Sequence, residues 1–194
     1  MSLANKFTLS RIVLAPVFFV IYLLPVFFPS WFPQNAAWTV PILWLLAIFC
    51  ELTDMFDGMA ARKHNEVSDF GKLFDPFADT LMQITCFLCF VIDGIFPVVL
   101  FLLVLYREFG ILFIRNLMLK KGITMGARIS GKVKTVTYII AGAVALVAAS
   151  IQRLAVFESL YPVFKTGALV IFIISVIISV VSFFDYLSAY RKAG

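Results

Sequence analysis

From Thr166 to Phe184 the chain reads TGALVIFIISVIISVVSFF, without one charged residue. A membrane-crossing helix needs about 20 mostly apolar residues, so this run alone narrows the fold sharply. Five more stretches share the pattern, and together they predict helical spans at about 8–29, 36–57, 73–95, 96–118, 132–152 and 164–187. Hydrophobic residues make up 62% of the 194, charged ones 14%, and the mean hydropathy is +1.02. A soluble domain carries about 25% charged residues, and a chain this short cannot hide such an apolar excess in a core. The reading is an all-α integral membrane bundle of six helices forming a single domain, 1–194. The first run follows Lys6 and Arg11 but exceeds a signal-peptide core, and no small-x-small cleavage site follows, so it reads as a retained helix.

The net charge of +5 raises the question of nucleic acid. Six spans put both termini on one face, and fourteen of the 16 Lys and Arg fall there, with Arg153 and Lys165 opposite. That asymmetry is the positive-inside pattern. Both termini are therefore expected in the cytoplasm, most readily at a bacterial cell membrane, and no nucleic-acid partner is needed. Trp31 and Trp38 bracket the first external loop, where interfacial aromatics belong. Cys50, Cys86 and Cys89 all lie in apolar runs and read as packing residues, not as a redox pair. Helix five contains AGAVALVAAS (Ala141–Ser150), a small-residue face suited to close packing within one subunit or in a homodimer.

Acids are scarce, yet seven of the 11 Asp and Glu crowd into ELTDMFDGMAARKHNEVSDFGKLFDPFADT, Glu51 to Thr80. Asp54 and Asp57 are three apart at the end of helix two, and Asp75 and Asp79 four apart at the start of helix three. Each pair shares a helical face. Four converging carboxylates would repel unless divalent cations neutralised them, and hard oxygen donors suit Mg²⁺ or Mn²⁺. Gly58 costs about 1 kcal/mol against Ala in a helix, which makes sense where a ligand approaches the backbone. Ala61 is similarly small, Arg62 offers a fork of donors for phosphate, and Gly71 relieves crowding one turn before Asp75. Pro76 is tolerable if helix three begins near Asp75. Glu66 and Asp69 read as loop acids, Asp69 as a candidate cap, and His64 as a solvated loop residue.

The run D-x-x-D-G-x-x-A-R-x₈-G-x-x-x-D-x-x-x-D, at Asp54, Asp57, Gly58, Ala61, Arg62, Gly71, Asp75 and Asp79, resembles the signature of the CDP-alcohol phosphotransferase family. Eight fixed residues over twenty-six positions make it specific. The resemblance implies two metal ions held by Asp54, Asp57, Asp75 and Asp79, with a CDP-linked lipid donor against Asp54, Gly58, Ala61, Arg62 and Gly71. It makes Asp79 also the base that takes the acceptor's proton. NKFTLSRIVLAP (Asn5–Pro16) is similar to one branch of the family, which places Thr8 near the nucleotide.

The second basic stretch reads REFGILFIRNLMLKKGITMGARISGKVKT, Arg107 to Thr135. Arg107 and Arg115 are eight apart, about 80° around a helix, and can line one groove at two depths. Arg107 lies inside an apolar run, which is costly unless it meets a partner or a watery cavity. With Arg128, Lys132 and Lys134 these cations suggest an acceptor that bears a phosphate. Lys120 and Lys121 read more simply as contacts to anionic headgroups. The segment is similar to the family branch whose acceptor is sn-glycerol 3-phosphate, through R-x₇-R and the later ISGKVKT. That implies transfer from CDP-diacylglycerol to give phosphatidylglycerol phosphate and CMP. Thr80 stands where that branch commonly has Lys, so inositol phosphate, inositol and serine stay open as acceptors. A cation transporter would explain the carboxylates, but neither the fixed Gly58, Ala61, Arg62 and Gly71 nor the arginines.

Overall fold

The computed structural model describes residues 3–32, 36–64, 69–123 and 129–192, without the side chains of residues 3–7, 54–64, 69–73 and 192. The described residues form six α-helices: α1 (Leu3–Phe27), α2 (Thr39–His64), α3 (Asp69–Ile92), α4 (Val98–Lys120), α5 (Ile129–Leu154) and α6 (Tyr161–Lys192). A 3-10 turn, Glu158–Leu160, leads into α6, and no strand occurs among the described residues. The all-helical expectation holds, with one helix for each apolar run.

The boundaries differ where hydropathy carries no signal. α2 continues to His64 and α3 already begins at Asp69, so most of the polar stretch expected as a loop is helical. Ala, Met, Arg and Lys near the end of α2 are good helix formers, though too polar together to register as a span. His64 is thus the last residue of a helix. Glu66 lies outside the described residues. Pro76, expected in a first turn, sits inside α3, where it cannot donate to the Lys72 carbonyl.

Four segments are long and apolar enough to cross a bilayer: Thr8–Phe27, Phe74–Ile92, Ile129–Leu154 and Glu158–Arg191. The apolar part of α2, Thr39–Thr53, is shorter, and α4 carries Arg107, Glu108 and Arg115 along its length. Large apolar side chains lie open on these helices, among them Leu45 (68% exposed), Phe113 (64%) and Ile177 (58%). In water so many would be a liability; against lipid they are the ordinary outer surface.

The chain forms two compact units. The first combines Met1–Cys89 with Ser150–Val156. Within it α1 packs along α2, with Phe18, Tyr22, Leu23 and Leu43 buried. Arg153 is also buried here. It donates to the Thr39 hydroxyl and the Tyr22 carbonyl, both at 2.9 Å, with its guanidinium 4.2 Å from the centre of the Tyr22 ring. These contacts offset the cost of sinking a charge into an apolar bundle.

The second unit combines Phe90–Ala149 with Phe157–Gly194. Here α6 packs on α4. Ala168, Phe172, Ser175, Ser179, Ser182 and Tyr186 are buried, and their spacing of three and four marks one stripe down α6. A β-carbon at Gly110 of α4 would come within 2.9 Å of the Phe183 ring, so the glycine permits the close approach of the two helices. Ala141, Ala145, Ala148 and Ala149 of α5 are fully buried within a single copy of the chain.

Candidate functional site

Asp75 and Asp79 stand one turn apart on α3, as the sequence predicts. Across from them α1 presents Thr8 and Arg11, three residues apart. The Thr8 hydroxyl donates to Asp75 Oδ1, and Arg11 Nη1 donates to Asp79 Oδ1 at 2.5 Å. The two i, i+3/i+4 pairs are in register, so one face of α1 fixes both carboxylates. Thr8 is wholly buried and Arg11 is 2% exposed, while the Asp79 side chain keeps 48% of its surface open. The pair is therefore braced from the protein side and reachable from the other.

Thr8 thus lies beside Asp75. Arg11 was missing from the sequence-derived site. The signal for it in the sequence is a cation inside an apolar helix, three residues after Thr8. The side chains of Asp54, Asp57, Gly58, Ala61, Arg62 and Gly71 lie outside the described ones. Their backbone is helical, and on α2 the positions 54, 57, 58, 61 and 62 follow the spacing of one helical face.

The second unit holds the basic residues. Arg107 and Lys134 do converge, but on a carboxylate: Glu108, 4% exposed. Arg107 Nη1 donates to both Glu108 oxygens at 2.9 and 3.0 Å, and Lys134 Nζ donates to Oε1 at 2.9 Å. The remaining sides of Arg107 are taken up by α6, through Nε to the Ser179 carbonyl (3.2 Å) and Nη2 to the Ser182 hydroxyl (3.0 Å). Tyr138 closes the network by donating to Ser179 Oγ at 2.7 Å, with the Lys134 ammonium 4.7 Å from its ring centre. Arg107 has found partners, which meets the condition its position imposes.

Arg115 is placed differently. Its Nη2 donates to the Tyr186 hydroxyl at 3.3 Å and its guanidinium carbon lies 5.6 Å from the centre of that ring. Among the described residues its Nε is buried without a hydrogen-bond partner. Lys132 is exposed, and Arg128 lies outside the described residues. Glu108, Ser179, Ser182 and Tyr186 were not anticipated.

An all-helical, lipid-facing chain that pairs aspartates at one helix end and buries a basic network in another unit defines a narrow class. The chain belongs to the CDP-alcohol phosphatidyltransferase family, whose model matches residues 1–183. Members of this family generally depend on divalent metals. Among its relatives is the CDP-diacylglycerol–glycerol-3-phosphate 3-phosphatidyltransferase of Treponema pallidum, 38% identical over 98% of this chain and 89% of the relative. Proteins of the same name from Bacillus subtilis and Rickettsia felis are 35% and 32% identical, over 72% and 69% of this chain and 74% and 68% of theirs.

The oxygen donors present suit such a metal. Asp75 and Asp79 offer hard carboxylate oxygens from one helical face, and Thr8 and Arg11 each engage one oxygen of the partner aspartate, Oδ1 in both cases.

Proposed function

We propose that this protein transfers the phosphatidyl group of CDP-diacylglycerol to sn-glycerol 3-phosphate, yielding phosphatidylglycerol phosphate and CMP. Three relatives that bear that activity in their names support the reading, the first across nearly the whole chain. The structural observation that carries it is the register of Thr8 and Arg11 against Asp75 and Asp79. The family match through residues 1–183 supports treating 1–194 as one catalytic domain.

Asp54, Asp57, Asp75 and Asp79 would hold the divalent cations, two Mg²⁺ or Mn²⁺. When bound, these ions supply neutralisation of charge on the diphosphate. Gly58, Ala61 and Gly71 leave room for the CDP moiety beside Asp54, Arg62 offers it a fork of donors, and Thr8 orients Asp75 at the same place. The acceptor hydroxyl attacks the β-phosphorus of the donor. A new P–O bond forms, the diphosphate P–O bond breaks and CMP departs. The hydroxyl proton passes to the Asp79 carboxylate, which Arg11 keeps pointed in one direction. Arg107, Arg115, Arg128, Lys132 and Lys134 supply the positive field that selects an acceptor carrying phosphate. The distribution of Lys and Arg supports six spans with both termini and the aspartates on the cytoplasmic side.

The test is CMP release by the purified protein with CDP-diacylglycerol and Mg²⁺ or Mn²⁺. Glycerol 3-phosphate, inositol phosphate, inositol and serine are offered separately. Release with glycerol 3-phosphate alone is the expected result. Release with another acceptor alone would reassign the substrate, and cation uptake into vesicles without CMP release would replace the enzyme by a transporter.

A further inference from the structure

Helices α4 and α6 end together, and their shared end is basic. The apolar span Glu158–Arg191 closes on Arg191, and α4 closes on Lys120 with Lys121 as its cap. Gly122, at φ +74°, stops α4 there: its N–H donates to the Leu119 carbonyl and that of Ile123 to the Met118 carbonyl. Lys121 is then fixed against α6, its ammonium 5.2 Å from the centre of the Tyr190 ring. Because Tyr190 is the neighbour of Arg191, this contact sets the two cations at one height. Lys120, Lys121 and Arg191 are all exposed.

The carboxylates of this unit lie elsewhere. Glu108 is buried against Arg107 and Lys134, and Asp93 and Glu158 precede α4 and α6 at their other ends. Asp185, the single acid of α6, is half-buried more than a turn before Tyr190. Along α6, Ile177, Val181 and Phe184 are each more than half exposed, spaced by four and three, and the same spacing continues through Ser188 to Arg191. One face of α6, on the other side from its buried stripe, therefore runs from apolar to cationic. An apolar track that turns positive where the span ends matches a phospholipid with an anionic headgroup. The Tyr190 ring distinguishes Lys121 from a freely solvated lysine, since it holds the ammonium at the depth of a headgroup phosphate.

We propose that the shared end of α4 and α6 is a docking site for an anionic phospholipid. The lipid phosphate lies against Lys121 and Arg191, an acyl chain follows Ile177, Val181 and Phe184, and Tyr190 places Lys121. Lys120, in the last turn of α4, adds to the positive field. These residues belong to neither the donor nor the acceptor assignment, so the site stands apart from the phosphatidyl-transfer reading and survives its failure.

Native mass spectrometry of the full chain, released from detergent that contains equal phosphatidylglycerol and phosphatidylcholine, measures which lipid is retained. The wild type should prefer phosphatidylglycerol about twentyfold, which is about fivefold for each of two basic residues near a membrane surface. Lys121→Gln and Arg191→Gln should each reduce that preference about fivefold, and Arg191→Lys should keep it. Tyr190→Leu should match Lys121→Gln, whereas Tyr190→Phe, which keeps the ring face, should behave as the wild type. Lys165 is the control, since it lies 5.8 Å from the Tyr161 ring near the other end of α6, and Lys165→Gln should change nothing. Equal retention of the two lipids by the wild type overturns the proposal. So does a loss in Lys165→Gln as large as in Lys121→Gln, the pattern of unspecific attraction. Unchanged preference in both Lys121→Gln and Tyr190→Leu overturns it as well, by reducing Lys121 to an ordinary surface lysine. Displacement of the retained lipid by inorganic phosphate would assign these cations to soluble anions and overturn the lipid site.

Discussion

At Asp79 two requirements meet in one side chain: the carboxylate must be held, and it must be reachable. Arg11 meets the first and the half-open surface the second. Asp79→Asn keeps the shape and a hydrogen-bond acceptor for Arg11 but removes the carboxylate proposed as the base. CMP release should fall by about 10²–10⁴, the usual worth of a positioned acid or base, while the melting temperature changes little. Full activity in that variant would remove Asp79 from the chemistry. Arg115→Lys is the sharper probe on the acceptor side, because a point charge replaces a fork. The KM for glycerol 3-phosphate should rise about tenfold or more with that for CDP-diacylglycerol unchanged, and an equal change in both would count against the assignment.

The helices are linked by polar contacts that a single sequence does not display. Arg107 is legible as a cation out of place in an apolar run and Lys134 as one of the cations beside the start of helix five, while the eight-residue motif marks Asp75 and Asp79 and the separate NKFTLSRIVLAP run marks Thr8. Arg11, Glu108 and Tyr186 were not recognised, because their roles depend on register between helices. Arg11 meets a residue 68 positions away and Arg115 one 71 away. Periodicity fixes the face of one helix but not its height against another. The helix ends were misplaced for a related reason: hydropathy marks where lipid begins, and α2 runs past that point to His64. The Glu108 network yields a prediction at this scale. Its carboxylate ties α4 to α5 and lets Arg107 reach α6, so Glu108→Ala leaves two cations buried around an empty acceptor. Breaking a buried pair in this way costs about 3–5 kcal/mol, which thermal unfolding in detergent should register as a clear loss of stability. An unchanged melting temperature would show that the three helices hold together without it.

For the whole molecule, the apolar excess determines the class and the acids determine the chemistry. Lipid supplies no driving force for helices to associate, so small residues and polar contacts must do so. The buried alanines of α5, Gly110 of α4 and the serine stripe of α6 have that role in one unit, and Arg153 has it in the other. The central claim is that Asp54, Asp57, Asp75 and Asp79 together hold divalent cations for a CDP-linked lipid. Electron paramagnetic resonance of Mn²⁺ titrated into the purified protein with CDP-diacylglycerol measures this directly. About two bound ions per chain are expected in the wild type, with a marked loss in Asp54→Asn and in Asp75→Asn. Bound Mn²⁺ that is the same in the wild type and both variants would contradict it.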